Sequence, residues 1–119
     1  MFHGTTAAAL RGIVVRGFAV GGRTPGVHLV NGAVHGHGVY AAMGPETPCQ
    51  YGKHARPFTW PAHTRGAYRA VILARATPGR RGADGSRGED GADAWFPRGD
   101  WAVFRRGEQL LPVYVVYFQ

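Results

Sequence analysis

Three apolar runs in the second half of the chain constrain its fold more than any other feature. Residues 68–74, 101–104 and 113–118 are rich in β-branched and aromatic residues, which is typical of β-strands. Several of these runs are continuously apolar, as in strands that are covered on both faces. They predict three strands, and we expect Tyr114 and Tyr117 of the last run to lie in the core.

A short helix is predicted near the start of the chain. Thr5 or Thr6 can accept a hydrogen bond from the first turn of such a helix, and Gly17 can end it. Apolar residues recur at helical spacing between these limits, so we expect them to share one buried face. These residues are Leu10, Ile13 and Val14.

The remaining elements complete an α+β pattern. Residues 38–42 are typical of a short buried strand, and Pro45 with Glu46 can open a second helix that runs toward Gln50 and Tyr51. The order strand, helix, loop, strand, helix and then strands favours an α+β fold with mixed or antiparallel sheets. No GxGxxG motif follows a strand into a helix, and no P-loop or Gly-x-Ser-x-Gly motif occurs. Rossmann, NTPase and α/β-hydrolase sites are therefore not indicated.

The length of the chain, 119 residues, predicts a single domain that spans residues 1–119. Residues 78–91 contain five glycines and no large apolar side chain, so ordering them costs conformational entropy. We therefore expect a long, mobile surface loop at about residues 78–94.

The charge and the cysteine content narrow the possible partners. The formal net charge is +7, and outside residues 78–94 the acids are Glu46, Asp100 and Glu108. A cationic body favours an anionic partner such as a dinucleotide, an acidic protein or a nucleic acid, although a solvated basic face accounts for the charge equally well. Cys49 is the single cysteine, which excludes a disulfide framework and a zinc site built from cysteines.

Membrane and metal binding are not predicted. No apolar run approaches the roughly 20 residues of a membrane span, and no secretory signal is visible, so we expect an intracellular protein, cytoplasmic or nuclear. His35 and His37 would share one face of a strand, but two histidines without a third nearby ligand make a weak metal site. They are more typical of loop residues beside a cleft.

Several short motifs follow one another in an order that is known from one enzyme family. They are His3-Gly4-Thr5, Gly17-Phe18, Gly36-His37-Gly38-Val39-Tyr40-Ala41-Ala42, Tyr51, Asp100 before an aromatic-rich strand, Gln109 and Tyr114. In this order the chain resembles the catalytic domain of the poly- and mono-ADP-ribosyltransferases, the PARP or diphtheria-toxin-like family. The resemblance covers nearly the whole chain, and it implies a split β-sheet fold that binds NAD⁺ in a cleft.

The resemblance also implies a role for each matching residue. His3 would bond the ribose hydroxyls of NAD⁺, and the backbone of Gly4 would pair with the nicotinamide carboxamide. Tyr40 and Tyr51 would sandwich the nicotinamide ring, and Asp100 would be the catalytic carboxylate that bonds the nicotinamide ribose. The other residues that the resemblance assigns to NAD⁺ binding are Thr5, Gly38 and Ala41.

The expected activity is transfer of ADP-ribose from NAD⁺ to a protein or nucleic-acid acceptor, with release of nicotinamide. A carboxylate near the ribose favours the positive charge that develops as nicotinamide departs, and two aromatic faces suit a flat cationic ring. Asp100 stands where polymer-forming members have a glutamate, so mono-ADP-ribosylation is favoured. Two alternatives stay open: a non-catalytic module that binds NAD⁺ or ADP-ribose, and a relative of the tRNA 2′-phosphotransferases. Asp100 itself is also compatible with a plain turn residue after Gly99.

Overall fold

The computed structural model describes residues 1–23, 34–50 and 68–118. Within these residues the strands are β1 (Phe2–Gly4), β2 (Val39–Ala42), β3 (Arg69–Ala76), β4 (Ala94–Trp95), β5 (Trp101–Phe104) and β6 (Leu110–Phe118). The helix α1 spans Ala7–Arg16, and two 3₁₀ turns span Pro48–Gln50 and Gly107–Gln109. Tyr51 lies outside the described residues.

All six described strands pair antiparallel in one sheet, in the order β4-β5-β2-β1-β3-β6. The predicted α+β class is therefore confirmed. The strand predicted at residues 101–104 is β5, and the runs at 68–74 and 113–118 correspond to β3 and β6. The short strand β4 is an element that the sequence analysis did not predict.

The sheet consists of two well-paired parts that meet at one residue pair. β1 pairs with β3 over three residues, and β2 pairs with β5 over four. Between β1 and β2 the described ladder consists of Phe2 opposite Ala42 alone. The end of β1 therefore lies beside a part of β2 with which it forms no ladder, and the candidate site lies there.

The helix begins and ends where the sequence predicts. Thr6 caps α1 by accepting a hydrogen bond from the backbone N–H of Ala9 at 3.3 Å, and Gly17 ends it with φ at +86°. Leu10 is buried, but Val14 is 52% exposed, so its predicted place on the buried face is wrong. The helix instead contacts the hydrophobic core through Leu10 and the partly buried Ile13. Among the described residues, no helix is long and apolar enough to cross a membrane.

The second predicted helix, from Pro45 toward Gln50, is a single 3₁₀ turn. The backbone N–H of Cys49 donates to Pro45 O at 2.8 Å, and that of Gln50 donates to Thr47 O at 3.0 Å. Pro48 has no N–H, and its ring opposes the carbonyl four residues earlier in a helix. The segment therefore closes one turn without continuing as an α-helix.

β2 and β5 present different side chains on the two faces of the sheet. The core face carries Val39 opposite Phe104 and Ala41 opposite Ala102, and all four are buried. Residues alternate between faces along a strand, so Tyr40 and Trp101 belong to the opposite face. Trp101 lies opposite Ala42, two residues from Tyr40 in the ladder. Two large aromatic residues are thus diagonal neighbours on this second face.

β6 is an edge strand, and this explains a wrong prediction. Tyr114 is 65% exposed and Tyr117 is 38% exposed, although the sequence predicts both in the core. β6 pairs with β3 along one edge, and it is the last strand in the sheet order. Pro112 lies within β6, where a proline is tolerated because an edge strand need not donate every N–H.

The glycine-rich segment at 78–94 closes on itself through carboxylates. Asp90 accepts hydrogen bonds from Ala83 N at 3.0 Å and from the Ser86 hydroxyl at 2.9 Å. Asp93 accepts from Arg80 N at 2.9 Å. The side-chain amide of Gln109 donates to Asp93 O at 3.0 Å, which ties the segment to the turn before β6. The predicted mobility of this loop stays a prediction.

The hydrogen bonds to Asp93 predict that the loop weakens in acid. The N–H of Arg80, and then the guanidinium of Arg106, hold the pKa of Asp93 below its usual 3.8. A carboxyl whose pKa is lower in the folded state stabilises the fold fully above pH 3.8 and loses this effect as the pH falls through the folded pKa. We therefore expect Asp93→Asn to be less stable than wild type at neutral pH, and the difference to shrink below pH 3.8.

The measurement is the free energy of unfolding by urea as a function of pH. Asp84→Asn is the matched control, because Asp84 is an exposed aspartate of the same loop. We expect this control to follow wild type across the whole range. A difference between Asp93→Asn and wild type that is constant with pH would contradict the assignment.

Candidate functional site

A cleft lies where β1 ends beside β2 and β5. It holds about 410 Å³ of space, part of it open to solvent. β1 contributes His3 and Gly4, β2 contributes Tyr40, and β5 contributes Trp101. The remaining lining residues are Ala41, Ala42, Thr47, Pro48, Ala102 and Val103.

His3 connects the two strands through its side chain. Its Nδ1 lies 2.7 Å from the backbone oxygen of Tyr40. A carbonyl oxygen can only accept, so Nδ1 carries the hydrogen and donates it. The ring also packs edge-on against Phe18, with centroids 5.0 Å apart and an interplanar angle of 80°. The imidazole is therefore held in one orientation between a strand and the core.

The protonation state of His3 follows from these contacts. Burial lowers the pKa of His3 below its usual 6.5, and the hydrogen bond to Tyr40 O opposes this shift only in part. The imidazole is consequently neutral at pH 7. With the proton on Nδ1, Nε2 is a hydrogen-bond acceptor, and among the described residues it has no partner. The site therefore offers one acceptor that suits a hydroxyl group.

The backbone of Gly4 offers the complementary pair of groups. Met1 exchanges both backbone hydrogen bonds with Ala74, each at 2.8 Å, and such pairs alternate along an antiparallel ladder. His3 forms the next such pair with Ile72, so the N–H and C=O of Gly4 point away from β3 and toward β2. The β1–β2 ladder gives them no partner. One donor and one acceptor thus border the cleft side by side, as a primary amide requires.

Tyr40 is fixed by the loop that precedes its strand. Its hydroxyl donates to Gly36 O at 2.7 Å and accepts from the backbone N–H of His35 at 3.0 Å. These two bonds hold the hydroxyl and so fix the side chain relative to this loop. Trp95 supports the same loop by donating from Nε1 to His35 O.

Asp100 lies beside the cleft and does not line it. Its Oδ2 accepts from the N–H of Gly44 at 3.0 Å, and its backbone oxygen accepts from Met43 N, also at 3.0 Å. These bonds close the turn after β2, which is the turn role that the sequence left open. Its catalytic role stays a prediction.

The other residues predicted for the site also divide into those that line the cleft and those that do not. Ala41 lines the cleft with His3, Gly4 and Tyr40, whereas Thr5 and Gly38 are not among the described lining residues. Thr5 is buried at the start of the helix region. At Gly38 a Cβ would lie 2.5 Å from Phe104 O, so glycine here allows β2 and β5 to approach closely.

Trp101 is a lining residue that the sequence analysis did not assign to the site. Its Nε1 donates to the hydroxyl of Thr47 at 3.3 Å, and its ring lies 5.6 Å from that of His35 at 77°. The guanidinium of Arg98 lies 5.6 Å from the indole centroid. The signal that could have identified Trp101 is the register between β2 and β5. Because β5 starts with Trp101, directly after Asp100, and Trp101 pairs with Ala42, its side chain lies on the same face of the sheet as Tyr40.

The histidines before β2 do not form a metal site with their described neighbours. Nδ1 of His37 is buried and has no hydrogen-bond partner in the described part of the chain. The His35 ring packs against Trp101. Within residues 1–23, 34–50 and 68–118, no group of three or more His, Cys, Asp or Glu side chains is arranged to hold a metal ion.

The neutral state of His3 predicts a pH dependence of stability. A histidine whose folded pKa is lowered stabilises the fold fully above pH 6.5, and this effect decreases as the pH falls below that value. His3→Asn keeps a donor near Tyr40 O and removes the titration. We expect wild type to lose stability relative to His3→Asn as the pH falls from 6.5. His3→Ala should be destabilised by about 1–3 kcal/mol at neutral pH, because it leaves the carbonyl without a donor.

The check is chemical unfolding of the three proteins between neutral and mildly acidic pH, combined with NMR titration of the His3 ring. An NMR titration midpoint for His3 above 6.5 would show that the fold raises the pKa of the ring, contrary to this account.

Comparison with known proteins gives no family for this chain. It matches no protein-family model. A search of the curated proteins likewise finds no match.

Proposed function

We propose that this chain is an NAD⁺-dependent ADP-ribosyltransferase that transfers a single ADP-ribose to an acceptor and releases nicotinamide. One observation carries the proposal. His3 and Tyr40, which lie on different strands and 37 positions apart, line the same cleft and are joined by a 2.7 Å hydrogen bond. The family resemblance assigns these two residues to the NAD⁺ site, and a common cleft is what that assignment requires.

The nicotinamide end of NAD⁺ fits the groups that border the cleft. The carboxamide needs one acceptor and one donor, and the C=O and N–H of Gly4 both point to the unpaired side of β1. Nε2 of neutral His3 accepts from a ribose hydroxyl. The ring of Tyr40 provides a flat surface for the nicotinamide ring, which is cationic until it leaves.

The sheet also supports the finer fold that we propose, the split sheet of ADP-ribosyltransferases. The two parts of the sheet meet at Phe2 and Ala42 alone, and the imidazole of His3 bridges the strands next to this pair. In this proposal the nicotinamide ring enters where β1 and β2 cease to pair.

Catalysis requires stabilisation of positive charge on the ribose as the bond to nicotinamide breaks. Asp100 is the proposed carboxylate, and in the structure its Oδ2 accepts from Gly44 N. We propose that the carboxylate exchanges this bond for a ribose hydroxyl when NAD⁺ binds. A short aspartate held beside a turn suits one transfer better than chain elongation.

A second candidate is a non-catalytic module that binds NAD⁺ or ADP-ribose. The observation that favours it is the same bond from Gly44 to Asp100, because a carboxylate committed to a turn does not act on a ligand. Binding without release of nicotinamide would distinguish this module from the transferase.

The test is release of labelled nicotinamide from NAD⁺, measured together with calorimetric NAD⁺ binding. We expect His3→Ala to weaken binding by about 2- to 10-fold through loss of one hydrogen bond. Tyr40→Ala should weaken it by about 10-fold, because a stacking surface is lost. Asp100→Asn should bind NAD⁺ like wild type and release nicotinamide about 100-fold more slowly.

Tyr114→Ala is the matched control, because Tyr114 is an exposed tyrosine on the edge strand β6. We expect it to bind and release like wild type. If wild type binds NAD⁺ and both His3→Ala and Tyr40→Ala bind it equally tightly, the cleft is not the NAD⁺ site. Full activity of Asp100→Asn would remove Asp100 from the mechanism.

A further inference from the structure

We infer that Trp95 is a positioning residue for the cleft tyrosine, Tyr40, and that the glycine-rich loop at 78–94 acts on the cleft through this indole. Trp95 holds the turn at His35 and Gly36, and that turn holds the Tyr40 hydroxyl. The inference rests on the proposed function, because it concerns the orientation of the ring that is proposed to stack on nicotinamide. Trp95 itself is not among the residues that line the cleft.

Trp95 and Tyr40 lie in one row across the sheet. Trp95 is opposite Val103 in the β4–β5 ladder, and Val103 is opposite Tyr40 in the β5–β2 ladder. Residues that are directly opposite in antiparallel strands share a face, and neighbouring strands lie about 4.8 Å apart. The two aromatic side chains are therefore on the same face of the sheet, with one strand between them. The turn before β2 connects them across this distance.

The connection consists of three hydrogen bonds. The indole Nε1 of Trp95 donates to His35 O. The N–H of His35 donates to the Tyr40 hydroxyl at 3.0 Å, and this hydroxyl donates to Gly36 O at 2.7 Å. Among the described residues, the other hydrogen bonds of His35 and Gly36 end on Tyr40 itself. The bond from Trp95 therefore ties the turn, and with it the tyrosine hydroxyl, to the β4 edge of the sheet.

The loop at 78–94 encloses the indole. Trp95 is buried, and a Cβ at Gly88 would lie 2.7 Å from its ring. Gly88 has φ at +88°, which glycine adopts without strain. The guanidinium of Arg105 donates to Gly88 O and lies 5.6 Å from the indole centroid. The loop therefore holds the indole in the position from which it bonds to His35.

Trp95 combines two properties that this position uses. Its ring fills the space beneath the loop, and its Nε1–H is a donor without acceptor capacity, which suits a carbonyl oxygen. Phenylalanine would fill much of the same space but would leave His35 O without this donor. The positioning role therefore depends on one N–H group, whereas a purely structural role depends on the volume of the ring.

The first measurement is calorimetric NAD⁺ binding by two loop variants with similar backbone strain. Gly88→Ala places a methyl group against the indole. Gly85→Ala is the matched control, because Gly85 also has a positive φ, +78°, but a Cβ there meets no atom within 4 Å. Neither glycine lines the cleft. We expect Gly88→Ala to weaken NAD⁺ binding by about 2- to 10-fold, as for loss of one hydrogen bond, and Gly85→Ala to bind like wild type.

A double-mutant cycle tests whether the effect passes through the Tyr40 hydroxyl. Trp95→Phe removes the indole N–H, and Tyr40→Phe removes the hydroxyl at the end of the connection. We expect each to weaken NAD⁺ binding by about 2- to 10-fold, and the double variant to bind no more weakly than Tyr40→Phe alone. Gly88→Ala in the Tyr40→Phe background tests the same step and keeps the buried indole. Losses that multiply in both double variants would overturn the inference.

A measurement without NAD⁺ tests the same connection directly. In protein labelled with fluorotyrosine, the fluorine NMR resonance of Tyr40 is identified by its absence from Tyr40→Phe. We expect this resonance to shift in Trp95→Phe and in Gly88→Ala, and to keep its wild-type position in Gly85→Ala. A resonance that stays unchanged in Trp95→Phe and Gly88→Ala would show that Trp95 does not position Tyr40.

The two readouts separate this inference from the proposed function. A Tyr40 resonance that shifts as expected in a protein that binds no NAD⁺ overturns the NAD⁺ site and keeps Trp95 as the residue that positions Tyr40. Wild type that binds NAD⁺, with equal affinity in Gly85→Ala and Gly88→Ala, overturns the positioning role alone. A shifted resonance together with weaker binding in Gly88→Ala, but not in Gly85→Ala, supports both.

Discussion

The bond between Nδ1 of His3 and the backbone oxygen of Tyr40 is the contact on which the site depends. If the register of Phe2 with Ala42 continued, Gly4 would lie opposite Tyr40 and the two backbones would pair. In the structure the imidazole of His3 takes this carbonyl instead. One side chain thus satisfies a buried acceptor where the ladder stops, and it leaves the polar groups of Gly4 facing the cleft.

The same bond also determines the electrostatics of the cleft. The chain carries a net charge of +7, and a charged imidazole among strands would add to the cost of burial. Burial lowers the pKa of His3, so the ring stays neutral and presents Nε2 as an acceptor. A neutral acceptor suits a ligand whose reacting ring is itself cationic. For the proposed NAD⁺ ligand, protonation of His3 would instead place two positive charges side by side.

Features with local causes could be predicted from the sequence, and features with tertiary causes could not. The Thr6 cap, the Gly17 stop and β5 follow from residues within a few positions of one another. The exposure of Tyr114 follows from the place of β6 at the edge of the sheet. The sequence of a strand does not show whether it lies at the edge or in the centre of a sheet. Trp101 was missed for the same reason, because its side of the sheet is known only once β2 and β5 are paired.

The glycine-rich loop is connected to the cleft through Trp95. This indole is fully buried, and a Cβ at Gly36 or Gly88 would lie 3.0 Å or 2.7 Å from its ring. Glycines let the backbone close over the indole, whose Nε1 then donates to His35 O. The N–H of the same residue donates to the Tyr40 hydroxyl. A segment whose composition suggests only flexibility therefore packs on the residue that helps to hold the cleft tyrosine in place.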